Sequence, residues 1–176
     1  LMLHRSDHIA QGGQQVQLMQ KVHTEMILHI HHVFSDVDGV SAQAIISAIL
    51  AGERDAEKLA ALRDHRCRSP REKILRALKG DYRAEYLFVL RQCQQRWQQL
   101  CAAVSECDQQ IATLSAAIEG ETQEPCPAAP RTQRLLQKNT PLCLPIYEEA
   151  WRFFGVDLSA VPGISSGVLC VLMSEL

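Results

Sequence analysis

Between Tyr86 and Ile118 the hydrophobic positions recur every seven residues. Leu90, Trp97, Val104, Ile111 and Ile118 form one series, and Cys93, Leu100, Cys107 and Leu114 each follow three residues later. Gln, Arg, Ser and Asp occupy the other faces, which is the a/d heptad of a coiled coil. No Gly or Pro interrupts the stretch before Gly120, so it predicts one helix roughly 50 Å long at ~1.5 Å per residue. The seam is too narrow for a globular core and suits a partner helix, in the same chain or in a second copy. A long helix packed in a bundle also fits. The residues expected to carry self-association are Leu90, Trp97, Leu100, Val104, Ile111, Leu114 and Ile118.

Elsewhere the periodicity is shorter and better punctuated. Residues 1–13 are polar and end in Gly12-Gly13, which predicts a disordered lead-in. From Gln14, apolar positions at Val16, Met19, Val22, Met26, Ile30 and Val33 predict a helix that stops at SDVDG, residues 35–39. Ser41 can cap a short helix that closes at Gly52, and Asp55 can cap the next. At SPRE, Ser69 reads as an N-cap, Pro70 as the first helical residue and Glu72 as the closing member of a capping box, with the helix ending at Gly80. Residues 121–145 form a Pro-rich linker, because five of the seven prolines fall between Pro125 and Pro145. Residues 146–176 resume helical character. The expectation is an all-α chain with a helical and coiled-coil middle at 14–120.

Composition changes this picture in two ways. The net charge is −2, yet nine of the eighteen Lys and Arg lie between Glu53 and Lys79 against five acids, leaving that segment at +4. A basic segment in an acidic chain fits either a polyanion contact or a solvated helical face. Arg63, Arg66, Arg68 and Arg71 crowd one inter-helix connection, with Lys73 and Arg76 just after it. An anion site at the start of the helix that follows is physically reasonable. The seven cysteines are odd in number and show no C-x-x-C pair, which argues against a disulfide framework and for a reducing, cytoplasmic setting. No signal peptide is visible, and no apolar run approaches the ~20 residues that span a bilayer. The chain starts at Leu1 rather than Met and stops inside an apolar pattern at Glu175-Leu176, so both ends read as cut from a longer protein.

Candidate chemistry is sparse. His29 and His32 could share a helical face with Glu25 or Asp36, but no recognised ligand spacing appears, and a surface histidine cluster is the preferred reading. SDVDG lacks the later ligands of a calcium loop. GISSG at 163–167 matches the nucleophile-elbow pattern, yet no His follows it. The same stretch fits a helix-hairpin-helix element better. There, Gly163, Ile164, Ser165, Ser166 and Gly167 would present backbone N–H groups to a phosphate. Such elements favour a second glycine where Ser165 stands.

The run VSAQAIISAILAGERDAEKLAALRDHRCRSPREKILRALKGDYRAEYLFVL resembles the middle of bacterial insertion-sequence transposases of the IS one-hundred-and-ten and eleven-eleven group, and FFGVDLSAVPGISSGVLCVLMSEL resembles the start of that group's C-terminal domain. The resemblance covers most of residues 14–176. It implies a RuvC-like recombinase that moves DNA, is guided by a structured RNA and acts as an oligomer through its coiled coil. The family's four metal-binding acids lie upstream of the segment matching QLMQKVHTEM, before Leu1. Its nucleophilic serine lies beyond the helix ending at Leu176, so Ser165 and Ser166 are not that serine. The resemblance therefore implies DNA, guide RNA and a second copy as partners, with magnesium held outside this chain and no catalytic residue or cofactor within it. A non-enzymatic coiled-coil interaction module is the competing expectation, and a Ser165 hydrolase a third.

Overall fold

Helical periodicity, capping and turn chemistry account for most of the element boundaries. In the computed structural model the chain forms, in order, α1 (Met2–Glu25), α2 (Ile30–Val33), α3 (Val40–Leu50), α4 (Ala56–Ala61), α5 (Arg71–Ala77), α6 (Ala84–Ala117), α7 (Ile146–Phe154), a 3-10 turn (Leu158–Ala160) and α8 (Ser166–Ser174). The structure describes residues 1–34, 37–65, 67, 69–122, 124–127 and 145–174, with only the backbone described at His31, His32, Ser159 and Ser174. Among these residues all regular structure is helical, and no helix is long and apolar enough to cross a membrane. The Pro-rich segment 128–144 and residues 35–36 lie outside the described residues.

The chain divides into two compact units, one of residues 10–100 and one of residues 1–9 with 101–176. In the first, Met19, Met26, Leu28, Ile30, Ile45, Ile46, Ile49, Leu59, Ile74, Leu78 and Leu90 are fully buried in one cluster. Each such side chain contributes about 1.5–3 kcal/mol by leaving water. A polar chain crosses this core. Buried Gln94 donates to the Ser47 hydroxyl at 2.9 Å and to Gln43 Oε1 at 3.3 Å, and Gln43 donates to the Val37 carbonyl at 2.9 Å. Each buried amide thus has a partner, which keeps its desolvation cost low.

Several expected boundaries moved. The lead-in is helix from Met2. Gly12 stands inside α1, buried, where an added Cβ would meet the Trp97 indole at 4.0 Å. That distance is ordinary van der Waals contact, so the indole packs beside the glycine without requiring it, and Gly12 carries the ~1 kcal/mol helical cost of its residue type. At its other end α1 stops at Glu25 instead of running on to Val33. Leu28 N–H bonds the His23 carbonyl (2.8 Å) and Ile27 N–H the Thr24 carbonyl (3.0 Å), a Schellman closure with Ile27 left-handed at φ 58°. Asp81 N–H then takes the Met26 carbonyl at 2.7 Å, and His29 N–H the Ala77 carbonyl at 3.0 Å. The sequence lacks the glycine that normally signals such a stop.

Among the short helices, Asp55 caps α4 as expected by accepting from Glu57 N–H at 2.9 Å, and Gly52 takes φ 104° after α3. Ser41 is not a cap: α3 begins after Gly39, and the Ser41 hydroxyl accepts from Asp64 N–H at 2.8 Å. Ser69 is not a cap either. Its hydroxyl donates to the Val33 carbonyl, and α5 starts after Pro70 with no side-chain cap. Gly80 marks a close approach rather than a left-handed stop, since a Cβ there would sit 2.4 Å from the Met26 carbonyl oxygen.

In the second unit, α7 buries Ile146, Tyr147, Ala150 and Phe153 on one face. Ile146, Ala150 and Phe153 pack with Leu169 and Met173 of α8, and Met2 of α1 lies against the same cluster. Gly155, at φ 63°, closes α7 by donating to the Trp151 carbonyl at 2.9 Å.

Candidate nucleic-acid interface

The basic excess of residues 53–79 sits on α4, α5 and the segment between them. Glu53 and Glu57 are engaged there: Lys58 lies 3.5 Å from Glu53, and Arg71 pairs with Glu57. Arg63 is exposed and donates to the Ser69 carbonyl at 3.2 Å, holding the connection closed. Lys73 and Arg76, three residues apart on the outer face of α5, are exposed and neither forms an ion pair with a described residue. Arg66 and Arg68 lie outside the described residues. Of the expected phosphate contacts, Lys73 and Arg76 are thus presented to solvent, while Arg63 and Arg71 are tied to the fold. α5 has seven residues and no side-chain cap, so the anion site expected at its start is not built.

Beside α5 lies a feature with no counterpart among the sequence expectations. An open groove of about 650 Å³ is lined by Ile27, Arg54, Ala56, Leu78, Lys79, Gly80, Asp81 and Tyr82. The Arg54 guanidinium stacks 4.8 Å from the Tyr82 ring centroid and donates to the Ile49 carbonyl, closing the C-terminal end of α3. Burial pushes the Tyr82 hydroxyl above its ordinary pKa, with nearby Arg54 opposing the shift; Tyr82 donates to the Leu78 carbonyl at 2.6 Å. An aromatic among cations in a basic segment is a signal that could have drawn attention to it.

The Gly163–Gly167 stretch forms a turn and a helix start. Gly163 takes φ 92°, Ile164 N–H bonds the Val161 carbonyl at 3.2 Å, and the Ser165 hydroxyl accepts from Val168 N–H at 3.4 Å as the cap of α8. Ser166 opens the helix and Gly167 lies in its first turn, exposed. The element before the turn is only the three-residue 3-10 segment. Ser165 therefore has a local structural task, and among the described residues no strand leads into it as a nucleophile elbow requires.

The heptad seam is used unevenly. Leu90 and Cys93 are buried in the first unit's core with Trp97 against them, and in the second unit Cys107 and Ile111 are buried. Leu100 and Val104 are half-buried, whereas Leu114 and Ile118 are 54% and 40% exposed. His29 is exposed; the side chain of His32 and all of Asp36 lie outside the described residues.

The second unit holds a group with no counterpart among the sequence expectations, because residues 2–13 are helical and not a disordered lead-in. His4 and His8 stand one turn apart on α1, with Cys107 of α6 beside them. The H-x-x-x-H spacing becomes visible only if that stretch is read as helix.

Compared with known proteins, the chain matches no family model, no curated protein and no solved structure.

Proposed function

We propose that this chain is the connecting part of an insertion-sequence transposase of the IS one-hundred-and-ten and eleven-eleven group, a scaffold that contacts nucleic-acid backbone and self-associates. The observation that carries the contact is the exposed pair Lys73 and Arg76, which forms no ion pair with a described residue while Lys58 and Arg71 engage Glu53 and Glu57. Arg63, Arg66, Arg68 and Arg71 add positive charge to the same stretch of sequence, which favours phosphate without reading sequence. The resemblance at residues 40–90 supports the family. It places DNA and a structured guide RNA as partners, a bacterial cytoplasm as the setting, and both catalytic centres, with their magnesium, in parts of the family that this chain does not match. Gly163 to Gly167 would add a backbone contact through the turn.

Binding to duplex DNA and to structured RNA across a salt series tests this reading. Affinity should fall steeply as salt rises. Replacing Lys73 and Arg76 together by Ala should lower the salt slope by about 2, roughly one per lost phosphate contact. Flat binding, or an unchanged slope in the double variant, would remove α5 as the contact surface.

A second reading, a coiled-coil interaction module without chemistry, draws on the exposure of Leu114 and Ile118 at the end of the seam. Leu114→Asp should then dissociate an oligomer seen by light scattering and leave helicity unchanged.

A further inference from the structure

Two imidazoles and one thiol converge between the start of α1 and the middle of α6. The candidate ligand atoms of His4, His8 and Cys107 all lie within 4.8 Å of one another. His8 Nε2 is 3.0 Å from His4 Nε2, and the two rings meet edge to face with centroids 4.2 Å apart. Cys107 is buried, His8 half-buried and His4 exposed, so the cluster has a closed floor and an open mouth. The other nitrogen of His8, Nδ1, is buried and has no hydrogen-bond partner among the described residues. A buried ring nitrogen without a partner calls for an explanation. Two facing imidazole nitrogens can share only one proton, and two protonated rings at this separation repel.

We propose that His4, His8 and Cys107 form a binding site for a divalent cation of the zinc class. Zinc takes imidazole nitrogen at about 2.0–2.1 Å and thiolate sulfur at about 2.3 Å in tetrahedral array. Those lengths put neighbouring ligand atoms roughly 3.3–3.7 Å apart, inside the spread seen here. One thiolate with two imidazoles selects zinc, cobalt or copper over magnesium and calcium, which prefer oxygen. With three ligands from the chain, a water would complete the four-coordinate shell.

The surroundings position the ligands. Arg5 follows His4 and Asp108 follows Cys107, and the Arg5–Asp108 ion pair holds this turn of α1 against this turn of α6. The ligand pair on α1 sits at the i, i+4 spacing that places both rings on one helical face. Binding displaces the Cys107 thiol proton to solvent. The bound cation would pin the start of α1 to α6 and shield Cys107 from oxidation. The site stands independently of the nucleic-acid reading.

The test is titration of the metal-free full chain with cobalt(II), followed by its displacement with zinc. One cobalt per chain should bind, with a thiolate-to-metal charge-transfer band and a rise in Tm. Cys107→Ser should abolish the band. His4→Gln changes an exposed side chain, and should weaken binding by at least roughly 10–100-fold, the loss typical even of outer-shell partners. Absence of cobalt binding, a charge-transfer band that survives in Cys107→Ser, or unchanged affinity in His4→Gln would each overturn the proposal. If circular dichroism shows that Cys107→Ser does not fold, His4→Gln decides alone.

Discussion

Arg152 of α7 donates from Nη2 to the Ser115 carbonyl at 2.6 Å, at the point where α6 runs out of helical partners for its last carbonyls. Nη1 reaches the Ile118 carbonyl at 2.7 Å, and Glu149, 2.7 Å from Nη2, balances the charge. Gly120 makes this possible, since a Cβ there would lie 2.6 Å from Arg152 Cγ and from the Arg152 carbonyl oxygen. A cation closing a helix C-terminus satisfies orphan carbonyls and opposes the dipole. Arg152→Ala should therefore lower stability by about 2–3 kcal/mol in urea denaturation, whereas Arg152→Lys should recover only part. A loss below ~0.5 kcal/mol would show that water closes the helix equally well.

Arg5 is 3% exposed and pairs with Asp108. Asp108→Ala takes a carboxylate acceptor away from a buried guanidinium and should cost roughly 1.5–3 kcal/mol. Replacing both, as Arg5→Met with Asp108→Leu, should restore most of that loss. The comparison is read from denaturation midpoints at constant m.

Ile27 is a β-branched residue in the left-handed region, at φ 58°, and its side chain is 58% exposed. Strain is present there and little packing offsets it. Ile27→Gly should raise stability by roughly 1 kcal/mol despite the added unfolded-state entropy. Gly80→Ala should act in the opposite direction, by about 1–3 kcal/mol, because the new Cβ meets the Met26 carbonyl. Calorimetry of the two variants checks both signs.

Glu53 is held below the ordinary carboxylate pKa first by the Asp55 N–H and then by the Arg54 N–H, with desolvation opposing them and the Lys58 ammonium adding a smaller lowering. A depressed carboxylate contributes stability above its unfolded pKa and loses that contribution as pH falls through its folded value. Wild type should therefore exceed Glu53→Gln in Tm at neutral pH. The gap should close below the ordinary carboxylate range. A pH-independent gap would assign the effect to packing.

Burial raises the thiol pKa values of Cys93 and Cys170. Cys101 is exposed on α6. At mildly alkaline pH, Cys101 should be alkylated well before Cys93 and Cys170, as mass spectrometry of timed reactions would show. Equal rates would mean that buried Cys93 and half-buried Cys170 open to solvent readily.

The amino-acid sequence by itself determined the helical class, the single long helix and the Asp55 and Gly52 boundaries. Each follows from neighbouring residues: a seven-residue repeat, a side-chain oxygen two residues before an N–H, a glycine where φ is positive. Tertiary structure decided the rest. Residues 2–13 are helical with Gly12 against Trp97, Ser41 and Ser69 spend their hydroxyls on distant backbone, and Gly80 and Gly120 admit neighbouring chain. Ile27 ends a helix without a glycine because the Met26 carbonyl is taken by Asp81. The His4, His8 and Cys107 cluster joins residues about a hundred positions apart. Local preference amounts to only about 1 kcal/mol per residue, so packing and hydrogen bonds between distant segments override it wherever the two disagree.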